Sequence, residues 1–204
     1  IRCLESIIGK EETLKNNFKI THFVVIMSSL LFILFHYPFF KFVFNNVDYK
    51  SFTGVSIIVS LVIAMLVANA FALFLIFFLS RLVGKILLVL FFIINAVAVY
   101  FINTYSVIID ESMIGNVLNT NYSESSSFFS IKLVLYVVFL GILPSIFIIK
   151  AKIITVTVKK FLVSISLTLL FLLTLAFANA SNWLWIDKNS KTLGGLAMPW
   201  SYAV

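Results

Sequence analysis

Cysteine and histidine are almost absent from this sequence, and both shortages limit its chemistry. Cys3 is the sole cysteine, which excludes an internal disulfide and a cysteine-based metal cluster. His22 and His36 are the only histidines, and on one helix they would lie about 21 Å apart, too far to bind one metal ion. The eight acidic residues are mostly dispersed along the chain. We therefore predict that this chain holds no metal site.

Charge is also scarce, whereas apolar residues are abundant. Charged residues make up 11% of the chain and hydrophobic residues 62%, with 23 Phe, which excludes an ordinary soluble domain. Because a helix needs about 20 residues to cross a bilayer, five apolar runs predict spans at 20–40, 54–80, 83–102, 131–149 and 161–178. We predict an all-α membrane protein: a five-transmembrane-helix bundle with a periplasmic loop helix and an interfacial C-terminal connector.

The distribution of basic residues predicts how this bundle is oriented. With the N-terminus in the cytoplasm, ten of the 15 Lys and Arg residues fall on the cytoplasmic side, the bias that normally sets topology. We predict a cytoplasmic segment at 1–19, a membrane domain at 20–178 with a periplasmic loop at 103–130, and a periplasmic interfacial linker at 179–204. The net charge of +7 then reflects anchoring on the cytoplasmic side, and we expect no nucleic-acid partner.

A polar, acidic island at 105–124 separates the third and fourth spans. If it is helical, Asn116, Thr120 and Glu124 form one stripe, because residues at i, i+4 and i+8 lie within about 80° of one another. An amide, a hydroxyl and a carboxylate can together bind a small ammonium group, such as that of a phospholipid head group. The alternative interpretation is a solvated amphipathic loop, since polar faces at helical spacing are common.

Three segments of the chain carry a family resemblance. The run YFINTYSVIIDESMIGNVLNTNYSES, the following FLGILPSIF and the tail motif MPWSY resemble the N-terminal membrane domain of bacterial phosphoethanolamine transferases. That family includes the lipid A modifying enzymes and the mobile colistin-resistance enzymes. The matching pattern consists of Thr104, Tyr105, Asp110, Met113, Asn116, Thr120 and Glu124.

The resemblance implies a specific function in the bacterial inner membrane. Members of the family join a five-helix membrane domain to a soluble, zinc-dependent domain with a Thr nucleophile. Phosphatidylethanolamine gives up its head group, which passes to lipid A or another periplasmic acceptor. The resemblance implies that Asn116, Thr120 and Glu124 line the donor-lipid site. It also implies that the zinc belongs to the soluble domain and that this chain itself needs no cofactor.

The catalytic domain is the main departure from the family pattern. We expect that domain to be absent from this chain, so that the chain alone is inactive. The family often has an Asn-His-Lys-like element in the tail, whereas this sequence has Ile186, Asp187, Lys188 and Asn189, and no role is transferred to these positions. The alternative function is a catalytically silent membrane scaffold or a small transporter subunit.

Two further features predict local structure. Pro144 removes a backbone donor inside the fourth span, so we expect the helix to bend there and to open a lateral groove toward lipid. The tail contains several aromatic residues and the pair Gly194 and Gly195, which predicts an interfacial anchor with a hinge.

Overall fold

The computed structural model describes residues 17–106 and 130–198. Within these residues, four helices are long and apolar enough to cross a bilayer, and a bent pair forms a fifth candidate, which confirms the predicted helical membrane fold. The elements in chain order are β1 (Asn17–Lys19), α1 (Ile20–Phe35), α2 (Tyr37–Asn46), α3 (Phe52–Leu79), α4 (Arg81–Tyr105), α5 (Ile131–Lys150), β2 (Lys152–Ile154), α6 (Val158–Ala178), a 3-10 turn (Ala180–Asn182), α7 (Trp183–Lys188) and α8 (Ser190–Leu196).

The first predicted span is broken in the structure. Helices α1 and α2 meet at His36 with a bend of 61°, and α2 continues past the predicted end at residue 40. Pro38 lies in the first turn of α2. A backbone N–H at this position has no acceptor within the helix, so the missing N–H of proline costs no hydrogen bond. His36 is buried at the bend, with its ring stacked on Phe32 and its Nδ1 3.3 Å from the Leu31 carbonyl oxygen.

Helix α5 accommodates Pro144 next to a π-helical part. The segment Ile131–Lys150 is one helix, and its middle part, Val137–Ile142, is π-helical, with the Leu143 N–H donating to the Val138 carbonyl. Because Pro144 has no N–H, it cannot donate to the carbonyl of Leu140 as an α-helix requires. The wider π turn absorbs this defect within one continuous helix, and the predicted bend with its lateral groove stays a prediction.

Large aromatic side chains fill the core between the helices. Phe23 of α1 contacts Phe77 of α3 edge-on with ring centroids 5.1 Å apart, and it also stacks on Phe147 of α5 at 6.5 Å. Such pairs add about 0.5–1.5 kcal/mol to the effect of burial alone. Helix α6 is less buried than the other long helices: none of its residues is buried, and it packs on α3 through the stacked rings of Phe78 and Phe161.

Glycine allows close approach at two positions in the bundle. A Cβ atom on Gly54 would clash with the backbone carbonyl of Asp48, in the connection before α3. A Cβ atom on Gly141 would lie 3.3 Å from the Ile93 Cα and 3.6 Å from the Ala96 Cβ. Helices α4 and α5 therefore pack backbone to backbone, as small residues permit in membrane bundles.

Basic residues gather at one end of the bundle, which we call the basic end. There β1 pairs in parallel with β2, a small sheet that the helical prediction did not include. The Lys85 ammonium donates to the Ile149 carbonyl at 2.8 Å, and Arg81 donates to the Ile153 carbonyl at 3.2 Å. The basic end carries Lys19, Arg81, Lys85, Lys150, Lys152, Lys159 and Lys160, and we call the opposite end the distal end.

The C-terminal connector is docked onto the distal end. Leu193, Leu196 and Met198 are buried in the core, and α8 contacts α2. The Trp185 indole N–H donates to the Asn46 carbonyl at 3.3 Å. Both residues of the Gly-Gly pair at 194–195 lie inside α8, where Leu193 and Leu196 on either side are buried, and the predicted hinge stays a prediction.

Candidate functional site

The predicted donor-lipid residues Asn116, Thr120 and Glu124 lie outside the residues that the structure describes. The structure does describe both points at which the island joins the bundle. These are the end of α4 at Tyr105 and the start of α5 at Ile131, and they lie together at the distal end. The candidate site is therefore described through the end of α4 and the start of α5, the described residues on either side of the island.

Local sequence explains why the two flanking helices stop where they do. Ser106 follows α4 in the left-handed conformation, with φ of 55°, and its N–H donates to the Ile102 carbonyl at 3.0 Å, which terminates the helix. Ser130 begins α5 as an N-cap, because its Oγ accepts from the Leu133 N–H at 3.1 Å. A serine cap of this kind contributes about 0.5–2 kcal/mol to helix stability.

A hydrogen bond joins the two ends of the island. Tyr100 OH of α4 lies 2.8 Å from Ser130 Oγ, and the Tyr100 side chain is 1% exposed. The same serine oxygen that starts α5 is thus tied to the last turns of α4. The bond therefore brings the last turns of α4, which precede residues 107–129, next to the start of α5, which follows them.

Aromatic rings surround this junction. The Tyr100 ring lies 5.7 Å from the Tyr136 ring and 6.1 Å from the Tyr105 ring, both edge-on, and Tyr105 stacks on Phe101 at 5.6 Å. Asn103 donates to the Tyr136 hydroxyl at 3.4 Å. Tyr105 is 44% exposed, so part of its ring faces outward. Aromatic faces beside hydroxyl and amide groups can attract an organic ammonium ion through cation–π contacts.

A second polar cluster at the distal end was not predicted. Asn179 Oδ1, just after α6, accepts from Ser56 at 3.0 Å, from Ser60 at 2.6 Å and from the Asn182 amide at 3.2 Å. Asn182 also donates to Ser56 Oγ at 3.3 Å and is buried. The cluster fastens the end of α6 to α3. The signal in the sequence is a pair of serines at i and i+4 in an apolar helix, which favours an interhelical polar contact.

The described residues do not form a zinc site. Residues 17–106 and 130–198 contain no group of three or more His, Cys, Asp or Glu side chains that could hold a metal ion. The two histidines are separated along α1: His22 is exposed near its start, whereas His36 is buried at the bend.

Comparison with known proteins gives one consistent family. Residues 66–204 match the family described as phosphoethanolamine transferase EptA/EptB. The chain is 36% identical over 181 residues to phosphoethanolamine transferase EptA of Helicobacter pylori, covering 88% of this chain and 34% of that protein. It is 32% identical over 90 residues to phosphatidylethanolamine transferase Mcr-2 of Escherichia coli, covering 44% of this chain and 17% of that protein.

A solved structure shares the fold. The chain resembles the integral membrane protein lipooligosaccharide phosphoethanolamine transferase A (EptA) from Neisseria meningitidis with a TM-score of 0.79 and 22% identity. The similarity covers 88% of this chain and 34% of that one. The chain thus spans about a third of the length of the relatives it matches over most of its residues.

Proposed function

This chain belongs to the phosphoethanolamine transferase EptA/EptB family, and we propose that it anchors the enzyme in the membrane and binds its donor lipid. The donor is phosphatidylethanolamine, and the acceptor is lipid A or another periplasmic molecule. Because the chain spans about a third of the Helicobacter pylori relative, the transfer itself is assigned to the complete protein. We assign the threonine nucleophile and the zinc that the family resemblance implies to the complete protein as well.

One observation supports the donor-site proposal most: the hydrogen bond between Tyr100 and Ser130 brings together the two helices that flank residues 107–129, the segment that contains most of the island. That place is the distal end of the bundle, at the ends of two helices apolar enough to span the membrane. A residue in the island can therefore reach a lipid head group while the acyl chains of that lipid remain in the bilayer beside the helices. The position fits a site for a substrate presented at the membrane surface.

The chemistry of the residues supports an ammonium ligand. In the island, Glu124 supplies a negative charge, and Asn116 and Thr120 supply oxygen acceptors for N–H donors. A carboxylate paired with an ammonium ion forms a charge-assisted hydrogen bond, roughly twice as strong as a neutral one. The exposed ring of Tyr105 adds an aromatic face at the same end. Together these groups would recognise the ethanolamine part of the donor.

The charge distribution supports an orientation in the bacterial inner membrane. The basic end carries seven described Lys and Arg residues, whereas both described carboxylates, Asp48 and Asp187, lie at the distal end. Short connections rich in Lys and Arg normally remain in the cytoplasm. We place the basic end and the N-terminus in the cytoplasm, and the distal end, the island and the C-terminus in the periplasm.

Alanine substitutions in the complete enzyme test the donor site. Asn116→Ala, Thr120→Ala and Glu124→Ala should each reduce phosphoethanolamine on lipid A at least tenfold, since each removes a group that holds the donor. Mass spectrometry of lipid A from cells with equal enzyme levels measures the effect. Asn121→Ala and Ser125→Ala are matched controls, because they remove the same kinds of group in the same segment but off the stripe.

The same variants separate donor binding from a general loss of folding. With fluorescent phosphatidylethanolamine in detergent micelles, the three variants should raise the donor KM of the complete enzyme, whereas the two controls should leave it unchanged. Normal lipid A modification in the triple variant Asn116→Ala, Thr120→Ala and Glu124→Ala would refute the donor site and favour a scaffold role.

A further inference from the structure

A cleft of about 410 Å³ lies between helices α1, α3 and α6. Its lining comes from residues 21–29 of α1, 66–74 of α3, and Ser164 and Thr168 of α6. Helices α1 and α6 begin at the basic end, and α3 ends there. The cleft therefore occupies the half of the bundle nearer the basic end, away from the distal end.

The lining of this cleft is mainly apolar, and few of its polar groups need a hydrogen-bond partner from a bound molecule. The apolar side chains include Val24, Val67 and Phe74. Two of its hydroxyl groups already have partners: Ser28 donates to the Leu66 carbonyl at 2.7 Å, and Thr168 donates to the Ser164 carbonyl at 2.8 Å. A hydrocarbon chain suits such a wall, because it brings no polar group that would need a partner.

We call the end of the cleft nearer the basic end its mouth, and two lysines precede the lining residues there in sequence. Lys160, Ser164 and Thr168 follow one another at four-residue spacing, so Lys160 continues the face of α6 that lines the cleft. Across the cleft, Lys19 directly precedes α1, two residues before the lining residue Thr21. Both lysines are exposed. The charges at the mouth and the apolar wall above it match the two parts of an anionic phospholipid.

Backbone groups reinforce the positive potential at this mouth. Helices α1 and α6 both begin without a side-chain cap and without an acidic residue in the first turn. Their first N–H groups and the positive ends of their dipoles therefore face the head-group region. Lys159 and Lys160 in the first turn of α6 would oppose that dipole, and a bound anion would relieve the repulsion.

We propose that this cleft is a binding site for one anionic phospholipid of the cytoplasmic leaflet. One acyl chain lies in the cleft, and the phosphate lies at the end marked by Lys19 and Lys160. The lipid fills the space beside α6, which has no buried residue of its own, and so holds this helix against the bundle. The site is separate from the proposed donor site, which lies at the other end of the molecule.

Native mass spectrometry of the complete protein, released from nanodiscs of phosphatidylcholine and phosphatidylglycerol, tests the charged part of the site. The wild-type protein should retain one phosphatidylglycerol in preference to phosphatidylcholine. The double variant Lys19→Gln and Lys160→Gln should weaken this binding roughly 25-fold, since each lysine near an anionic surface contributes about a fivefold factor. The control Lys41→Gln and Lys132→Gln removes the same charge at the distal end and should bind normally.

A bulky residue in the cleft tests the apolar part. Ser164→Phe should displace the retained phosphatidylglycerol, whereas Val163→Phe, on the exposed face of the same turn, should not. Size-exclusion profiles and melting temperatures of both variants establish that they are folded. Equal retention of both lipids by the wild-type protein, or equal binding by Ser164→Phe and Val163→Phe, would overturn the proposal.

Discussion

Tyr100 is the residue that links the candidate site to the bundle. It is among the largest fully buried side chains, yet it carries a hydroxyl group that must find a partner away from water. Ser130 supplies that partner and at the same time caps α5. One pair of side chains therefore joins the last turns of α4 to the start of α5.

Removing this pair tests its contribution to stability. Tyr100→Phe should lower the free energy of unfolding by about 1 kcal/mol, because the hydroxyl is lost while the ring remains. Ser130→Ala should cost more, about 1–2 kcal/mol, since the cap is lost as well. Unfolding in mixed detergent micelles measures both changes, and Tyr37→Phe, which removes an exposed hydroxyl, is the control.

The double variant shows whether the two groups act on each other. Tyr100→Phe combined with Ser130→Ala should cost less than the sum of the single changes, by about 0.5–1 kcal/mol. Strict additivity of the two single changes would contradict the hydrogen bond.

Helices in this bundle differ in how closely they approach one another. Helix α4 contacts all three parts of α5, and Gly141 in the π-helical part allows the backbones to approach. Helix α6, in contrast, packs on α3 and is fastened at its end by Asn179. The sequence predicted both helices as similar apolar runs. Their different packing depends on single small or polar residues at the contact.

Enlarging Gly141 tests the close contact between α4 and α5. Gly141→Leu should lower the free energy of unfolding by about 1–3 kcal/mol, because its side chain must displace the α4 backbone near Ile93. Gly141→Ala should cost less, since the added atom needs a shift of only a few tenths of an ångström. Val138→Leu is the control, because it enlarges a partly exposed side chain of the same segment. The same unfolding assay applies, and equal effects of Val138→Leu and Gly141→Leu would refute the close contact.

The whole molecule has one strongly basic end and one end that carries the polar clusters. Cysteine labelling tests the proposed orientation in a Cys3→Ser background, since Cys3 is the sole cysteine. In intact inner-membrane vesicles of known sidedness, Tyr49→Cys should be labelled from the periplasmic face. Thr155→Cys should be labelled from the cytoplasmic face by a membrane-impermeant maleimide. Both residues are exposed and uncharged, so neither change alters the charge bias.

Disrupted membranes provide the control for labelling, because both positions should then react. Labelling of Thr155→Cys from the periplasmic face would reverse the orientation and place the island in the cytoplasm.

The sequence by itself determined the class, the number of candidate spans and the family. Hydrophobicity and run length are properties of consecutive residues, so the predicted spans at 54–80, 83–102, 131–149 and 161–178 lie within a few residues of α3 to α6. The family resemblance rested on a local pattern and is confirmed by the match over residues 66–204. The predicted roles of Asn116, Thr120 and Glu124 stay predictions.

Only the tertiary structure decided which residues meet. The bend at His36, the pairing of β1 with β2, the bond between Tyr100 and Ser130, and the burial of the connector all join parts of the chain whose contact no local pattern specifies. Asn179 meets Ser60 across 119 positions of sequence. Such contacts depend on how helices pack, because an apolar face in a bilayer can be covered by lipid as well as by protein, and small and polar residues then select the partner.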